Sequence, residues 1–221
     1  MTCSNVAFVV PCWKKDFLYL ECLLNTFLRE FNSGNLCDAI IVMSNKVEVD
    51  DFLKNYPRFK IKNFKFESLD EYTQKELCKE NGIINIKKFY GIYKNLEYDY
   101  YIPVDSESAI ISLEKIYEKC KIEDISKKVY GSKISRSSLQ KINSESIKFL
   151  TSFCTSEKEK KLINSNIDIS LYTFWSNMPV FENKKIKRLL KFIRFDNQKE
   201  VLEKINWYCF DHIIYQYYCL A

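Results

Sequence analysis

The chain has 221 residues, of which 47% are hydrophobic and 15% aromatic, so it is long enough for one ordinary domain and too apolar to be disordered. Its formal net charge of +5 is modest and spread along the chain. That charge suits an anionic ligand or a membrane surface, and it does not indicate a nucleic-acid-binding protein.

The first half of the chain alternates predicted strands and helices. Apolar runs predict strands at 6–10, 39–43, 59–66 and 100–104. Helical spacing of apolar residues predicts helices at 17–31, with Asp16 as N-cap, at 49–55 and at 86–96. The order βαβαβαβ is typical of a parallel sheet whose strands are joined by crossover helices.

The second half is less regular. Its patterns predict, in order, a helix at 113–121, a strand at 128–131, a polar helix at 137–153, a solvated segment at 158–166, extended structure with a turn over 167–180, a basic amphipathic helix at 183–195 and a long aromatic helix at 199–220. The basic helix has the composition of a helix that lies on a membrane surface. A solvated helix that packs against the core explains the same composition.

Nine cysteines are scattered without CxxC or CxxH spacing, and their number is odd. This pattern indicates buried, reduced thiols in a cytosolic protein, not a disulfide framework or a zinc site. The apolar runs are only as long as strands, so we expect neither a signal peptide nor a membrane span.

Two acids follow the last strand of the first half. The strand is apolar and aromatic, as in a strand that is buried on both faces, and it leads into Asp105 and Glu107. Because a buried unpaired carboxylate is costly, we expect both acids at the carboxyl edge of the sheet, where open α/β sheets bind ligands. They could place oxygens on a divalent cation that holds a diphosphate. A solvated turn, with Ser106 capping the next helix, is the simpler alternative.

Two further segments are candidates for the same edge. After the first strand, Trp13 could stack on a base and Asp16 could accept a hydrogen bond from a base or ribose; the alternative is a helix cap beside an exposed aromatic. Lys87 and Lys88 lie on the polar face of the helix before the acids. Either could neutralise a phosphate, although lysines on such a face are usually only solvated.

Asp211 and His212 are the remaining candidates. His212, the single histidine, lies on an apolar stripe, where it is either a core residue or a third ligand for a transition metal. Asp211 lies among aromatic residues, and a carboxylate in such a setting can be tuned as a general base.

The blocks FVVPCWKKD and KKFYGIYKNLEYDYYIPVDSE resemble the nucleotide-sugar half of GT-A-type glycosyltransferases, particularly bacterial glycosyltransferases of surface polysaccharides such as capsule and lipooligosaccharide. The resemblance is strongest over the first half of the chain. It implies an α/β fold with a Rossmann-type mixed sheet, mostly parallel and flanked by helices. It also implies one domain over 1–221, with a nucleotide-sugar-binding half at 1–110 and an acceptor-side half at 111–221.

The resemblance implies transfer of a sugar from a UDP-, GDP- or CMP-type donor to an oligosaccharide or lipid-linked acceptor. In that family an acid-x-acid motif holds Mn²⁺ or Mg²⁺ on the donor diphosphate. The implied roles are metal ligation by Asp105, Glu107 and His212, donor binding by Pro11, Trp13, Asp16, Lys88 and Asp105, acceptor binding by Trp175 and Asn177, and base catalysis by Asp211. The family usually has Asp where this chain has Glu107. The implied location is cytoplasmic, with peripheral contact to the inner face of the membrane through 183–195.

Two other functions fit the sequence. A sugar nucleotidyltransferase also uses paired acids with Mg²⁺, but it usually carries a glycine-rich phosphate loop, and PCWKKD has no glycine. A non-catalytic transferase-like scaffold is the other alternative. A partner chain, including a second copy of this one, could complete the acceptor site.

Overall fold

The computed structural model describes residues 5–32, 37–69, 82–114, 116, 131–132, 137–166, 170–171 and 179–221. The strands are β1 (Val6–Pro11), β2 (Asp38–Met43), β3 (Phe64–Ser68), β4 (Tyr100–Pro103), β5 (Gly131–Ser132), β6 (Ser170–Leu171) and β7 (Phe181–Glu182). The α-helices are α1 (Phe17–Asn32), α2 (Lys46–Asn55), α3 (Ile83–Lys94), α4 (Ser137–Thr151), α5 (Glu157–Asn164), α6 (Asn183–Phe192), α7 (Gln198–Lys204) and α8 (Asp211–Leu220).

The main sheet has the strand order β3-β2-β1-β4-β7. Strands β1 to β4 are parallel, and β7 runs antiparallel to β4. The strands β5 and β6 form a separate antiparallel pair. The predicted α/β fold, with a mixed and mostly parallel sheet flanked by helices, is therefore confirmed. In the register, Pro11 pairs with Val42 and Val9 pairs with Pro103, so β1, β2 and β4 end at one edge.

Both faces of this sheet are covered, because side chains of β1 alternate between two buried clusters. Val6, Phe8 and Val10 pack with α1 and α2 on one face. Ala7 and Val9 pack with α3, α4, α6 and α8 on the other. The strands are thus buried on both sides, as their continuous apolar sequences predict.

Helix α3 lies unusually close to the sheet at Gly91. A Cβ atom at this residue would lie 2.8 Å from Val42 Cγ2 and 2.9 Å from Val9 Cγ1. Only glycine fits at such a distance without displacing one of these side chains. The close approach brings the preceding turn of α3, with Lys87 and Lys88, onto the carboxyl edge of the sheet.

Three local predictions are wrong. The predicted long helix at 199–220 is two helices, because Ile205 is extended and the Asn206 side chain accepts a hydrogen bond from Tyr208 N, which forms a turn. Asp16 ends a 3-10 helix (Lys14–Asp16) and does not cap α1. The predicted strand at 59–66 begins only at Phe64, after a 3-10 helix at Pro57–Phe59.

The basic helix α6 places its apolar side chains inside the protein. Ile186, Leu189 and Leu190 are buried, whereas most of its lysines are exposed. The apolar face that an interfacial helix inserts into a membrane is therefore occupied by the core, and only the basic face is open. No helix in the described ranges is both long and apolar enough to span a membrane.

Most of the elements predicted at 113–121, 128–131 and 167–180 lie outside the described residues. The described cysteines are free thiols. Cys12, Cys37 and Cys209 are buried as predicted, but Cys22 and Cys219 are exposed. The prediction of buried thiols is therefore wrong for Cys22 and Cys219.

Candidate functional site

Lys88 joins two of the predicted site residues. Its Nζ lies 3.1 Å from Asp105 Oδ1 and 3.5 Å from Asp211 Oδ1. Lys88 is only 9% exposed, although the sequence placed it on a polar, solvated helix face. Residues 88, 105 and 211 come from α3, from the end of β4 and from the start of α8, so three distant parts of the chain meet at one ammonium group.

Asp211 is 1% exposed and is the first residue of α8. Its backbone N–H donates to Asn85 Oδ1 at 3.2 Å, and its Oδ1 lies 3.8 Å from His212 Nδ1. The start of a helix also favours a negative charge. Burial raises the pKa of Asp211, but Lys88 and His212 outweigh burial, so this pKa lies below its usual value.

Asp211 is the first residue of α8 because the chain turns between α7 and α8. Gly82, which precedes α3, has φ of +110°, and a Cβ there would lie 3.0 Å from the carbonyl oxygen of Asn206. The start of α3 thus packs against the turn that precedes Asp211. A continuous helix, as predicted from the sequence, would have placed Asp211 in its interior with its N–H used by the helix.

Lys88 carries its charge despite its burial. Burial lowers the pKa of Lys88, and the carboxylates of Asp211 and Asp105 more than compensate, so the pKa is raised above its usual value. At neutral pH the group is one cation between two anions. It is therefore fixed in place, and it compensates the charge of the buried Asp211.

Asp105 and Glu107 lie on a turn that helix α1 holds. The turn is closed by Ser108 N donating to Asp105 O at 3.0 Å. The chain that follows is tied to α1, because Ile110 N donates to Thr26 Oγ1 at 2.9 Å and Leu113 N donates to Glu30 Oε2 at 2.7 Å. The acids thus stand on a braced segment at the edge of the sheet.

This turn offers two carboxylates to a metal ion. The Asp105 side chain is 49% exposed and meets Lys88 through Oδ1, which leaves Oδ2 toward other partners. Glu107 is exposed, and its Oε2 accepts from Ser106 Oγ at 3.3 Å. Within the described ranges, no three His, Cys, Asp or Glu side chains are grouped closely enough to enclose a metal. Carboxylate oxygens are nevertheless the kind of ligand that a hard cation such as Mg²⁺ takes, so the residue types present fit such an ion.

A second group of residues lies at the ends of β1 and β2. The Nζ of Lys87 donates to Cys12 O at 2.5 Å and to Ser44 Oγ at 3.1 Å, and it lies 3.9 Å from the centre of the Trp13 ring. Lys87 is fully buried, contrary to the solvated position that the sequence suggested. Burial lowers the pKa of Lys87 to about 8.

The structure brings together part of the predicted site. Pro11 ends β1, Trp13 and Asp16 follow it, and Lys88, Asp105 and Asp211 form the ion-pair group. His212 adjoins this group through Asp211. The predicted acceptor residues Trp175 and Asn177 lie outside the described residues, so their role stays a prediction.

Sequence reasoning missed Ser44 and Asn85, and it considered Lys87 only as a residue that could neutralise a phosphate. Asn85 is 1% exposed and is one helical turn before Lys88, so it shares the face of α3 that points to Asp211. Ser44 comes directly after β2, and its neighbour Asn45 caps α2 by accepting from Glu48 N. Ser44 could have been found from the sequence, because it directly follows a predicted parallel strand and so lies at the carboxyl edge of the sheet.

No protein-family model and no curated protein matches this chain. Among solved structures, TarS 1-349 from S. aureus has 16% identity and a TM-score of 0.37 over 56% of this chain and 33% of that one. Core-mannan synthase A (CmsA/Ktr4) from Aspergillus fumigatus, in its Mn/GDP form, has 10% identity and a TM-score of 0.44 over 96% of this chain and 68% of that one.

The apo structure of WbbM, a bifunctional glycosyltransferase, has 12% identity and a TM-score of 0.46 over 97% of this chain and 37% of that one. This chain therefore spans only a minor part of the TarS and WbbM chains. The similar structures include a glycosyltransferase, which is the class of enzyme that the sequence resembles. With TM-scores this low, the likeness assigns no activity, and the description of the fold rests on the sheet itself.

Proposed function

We propose that this protein is a glycosyltransferase that moves a sugar from a nucleotide-sugar donor to a glycan acceptor in surface-polysaccharide synthesis. The observation that carries the proposal is the ion-pair group at the carboxyl edge of the sheet, where Lys88 lies between the half-exposed Asp105 and the buried Asp211. Ligands of open α/β sheets bind at this edge. Residues 1–110 would bind the donor, and 111–221 would supply the acceptor side.

Asp105 and Glu107 would hold Mn²⁺ or Mg²⁺ together with the diphosphate of the donor. When bound, the cation offsets negative charge on the departing nucleoside diphosphate. Lys88 has a supporting role on the protein side, because it neutralises one oxygen of Asp105 and fixes the direction of that carboxylate. Such support for a ligand typically raises metal affinity.

Asp211 is the proposed base that takes the proton of the acceptor hydroxyl. A base must touch that hydroxyl, yet Asp211 is 1% exposed and faces Lys88. We therefore include a movement of Lys88 in the proposal: the donor diphosphate would compete for its ammonium group and uncover the carboxylate. An Asp211 that is freed from Lys88 is also a stronger base, because the nearby cation holds its pKa down.

The acceptor would be an oligosaccharide or a lipid-linked glycan. The open basic face of α6 could hold the protein near an anionic membrane surface by charge alone, since its apolar face is buried. This would place the enzyme in the cytoplasm, peripheral to the inner face of the membrane.

The test is calorimetric titration with UDP, GDP and CMP, each with and without Mn²⁺. We expect one nucleotide to bind with micromolar affinity in the presence of Mn²⁺, and Asp105→Ala to weaken it at least tenfold. Asp196→Ala, an exposed aspartate after α6, is the matched control and should bind like the wild type. Binding that is equal with and without metal would remove the cation from the proposal. No binding of any nucleotide would contradict the proposed function and favour the scaffold.

A further inference from the structure

Lys87 is a buried cation whose contacts are not those of an ion pair. It is 0% exposed, and among the described residues no carboxylate oxygen lies within 4.0 Å of its nitrogen. Its direct partners are the Cys12 carbonyl, the Ser44 hydroxyl and the ring of Trp13. The carboxylates of Glu48 and Asp16 favour its charge from farther away, but burial outweighs them, so the arrangement is costly and needs a reason beyond packing.

These contacts fix the segment that follows β1. Trp13 O accepts from Asp16 N at 2.9 Å and from Cys12 Sγ at 3.3 Å, which holds the backbone of the turn. The ammonium group of Lys87 then lies over one face of the indole ring at 3.9 Å from its centre, within the range of a cation–π contact. Both the backbone and the ring of Trp13 are thereby held.

Trp13 is partly exposed. Lys87 occupies one face of its indole ring, so a planar ligand would have to stack on the opposite face. Trp13 stands at the same edge of the sheet as Asp105, which follows the neighbouring strand β4. An open aromatic face that is fixed in advance can stack on a planar heterocycle with little loss of side-chain freedom.

We propose that Lys87 is a positioning residue that fixes Trp13 as the stacking surface for the nucleobase of the donor. The inference rests on the proposed function, because it concerns the base of the same nucleotide. Lys87 and Lys88 are consecutive on α3, so the surface for the base and the cation beside Asp105 are set by a single turn of helix. That spacing suits a ligand that carries a base and a diphosphate together.

A structural role for Lys87 is the competing explanation, since its hydrogen bonds also link the segments that follow the paired strands β1 and β2. The two explanations differ in what the base contributes to binding. If Lys87 only joins the strands, its removal lowers the stability of the protein and leaves the nucleobase-dependent part of the affinity unchanged.

The test is a tryptophan-fluorescence titration with UDP, GDP and CMP, and with ribose 5-phosphate as a probe that lacks a base. The wild type and Trp13→Phe are compared so that the signal of Trp13 is isolated from the other two tryptophans. We expect the nucleotide that binds to quench an emission component that W13F lacks, and ribose 5-phosphate to leave it unchanged. Lys87→Met should weaken the nucleotide at least tenfold and leave the weak ribose 5-phosphate affinity unchanged. Lys94→Met, an exposed lysine on the same helix, is the control.

Nucleotide binding with wild-type affinity and quenching in Lys87→Met would overturn the proposal. If Lys87→Met does not fold, Trp13→Leu decides, because Trp13 is partly exposed and its truncation leaves the strands joined. Equal nucleotide affinity of W13L and wild type by calorimetry would overturn the stacking surface while the proposed function stands. Failure of every nucleotide to bind the wild type by calorimetry would instead overturn the proposed function, and with it this inference.

Discussion

The Nζ atom of Lys88 lies 3.5 Å from Asp211 Oδ1, and this contact joins two helices that are far apart in the chain. Lys88 is on α3 and Asp211 begins α8. The aspartate is closed to solvent, so the ammonium group is the main source of positive charge that compensates it. The stability of the protein and the chemistry of the site therefore depend on the same contact.

Removal of Lys88 should strongly destabilise the protein. In Lys88→Met the Asp211 carboxylate stays buried without its cation, and breaking a buried pair in this way typically costs about 3–5 kcal/mol. Urea unfolding at neutral pH measures the loss. Lys94→Met removes an exposed lysine from the same helix and should change the free energy of unfolding little.

A second substitution identifies the cause of that loss. Asp211→Asn in the Lys88→Met background removes the uncompensated charge, so we expect it to recover much of the stability. If the double variant is no more stable than Lys88→Met, packing of the lysine side chain, and not its charge, holds the two helices together.

Stability should rise with pH above about 8 because of Lys87. Burial lowers its folded-state pKa to about 8, below the value near 10.5 that it has when unfolded. Between these values the unfolded chain binds more protons than the folded one, so the free energy of unfolding increases with pH in this window. The burial of Cys12 has the opposite effect at higher pH, because it raises the pKa of that thiol to about 12.

The measurement is the difference in unfolding free energy between wild type and Lys87→Met from pH 7 to 9. The contribution of Cys12 to the pH dependence falls mainly above this range. We expect the wild type to gain relative to the variant as the pH rises. A difference that does not change over this range would mean that Lys87 keeps an ordinary pKa in the folded protein.

Gly91→Ala should destabilise the protein although alanine favours helices. The added Cβ would lie 2.8 Å from Val42 Cγ2, and overpacking of this kind costs about 1–3 kcal/mol. The higher helix propensity of alanine would offset this cost by up to about 1 kcal/mol. Thermal unfolding measures the balance. Val42→Ala in the same chain should relieve only part of the strain, because Val9 Cγ1 would still lie 2.9 Å from the added Cβ. A G91A variant that is more stable than wild type would show that α3 can move away from the sheet.

Glu30→Ala should weaken the proposed metal-dependent binding of a nucleotide, although Glu30 lies on α1 and not on the turn that carries the two acids. Glu30 is 7% exposed and accepts from Leu113 N, so it braces the chain after the acid turn. We expect a several-fold loss of affinity by calorimetry and a stability cost of about 1–3 kcal/mol for the unpaired amide. Asn25→Ala, at an exposed position of α1, is the control. Equal affinities for E30A and wild type would mean that the turn keeps its position without the brace.

The sequence predicted the sheet well because its strands are continuous apolar runs. The runs at 6–10, 39–43 and 100–104 match β1, β2 and β4 within one residue, and the acids follow β4 as expected. Such runs report burial directly, since a strand covered on both faces has no polar side. The sequence also predicted that the acids lie at the carboxyl edge of the sheet, because they directly follow a predicted parallel strand.

The lysines were misjudged for a different reason. Helical periodicity placed Lys87 and Lys88 on a polar face, and only the fold shows that strand ends and Asp211 surround that face. The turn at 206–209 was also missed, because the aromatic spacing on both sides of it continues as in one helix. The burial of the two lysines and the turn at 206–209 both depend on residues that are distant in sequence. The local pattern of apolar and polar residues carries no information about such contacts.

The close packing of α3 against the sheet at Gly91 limits how the sequence of this protein can change in evolution. Each residue of a helix advances it by about 1.5 Å and turns it by about 100°, so one deletion between Lys88 and Gly91 would rotate both lysines away from their partners together. The length of this helix is therefore fixed by both lysines at once. The segments that follow β1 and β2 are tied to the same helix through Cys12 and Ser44, so under the proposed function we expect donor preference to change by substitution and not by insertion or deletion.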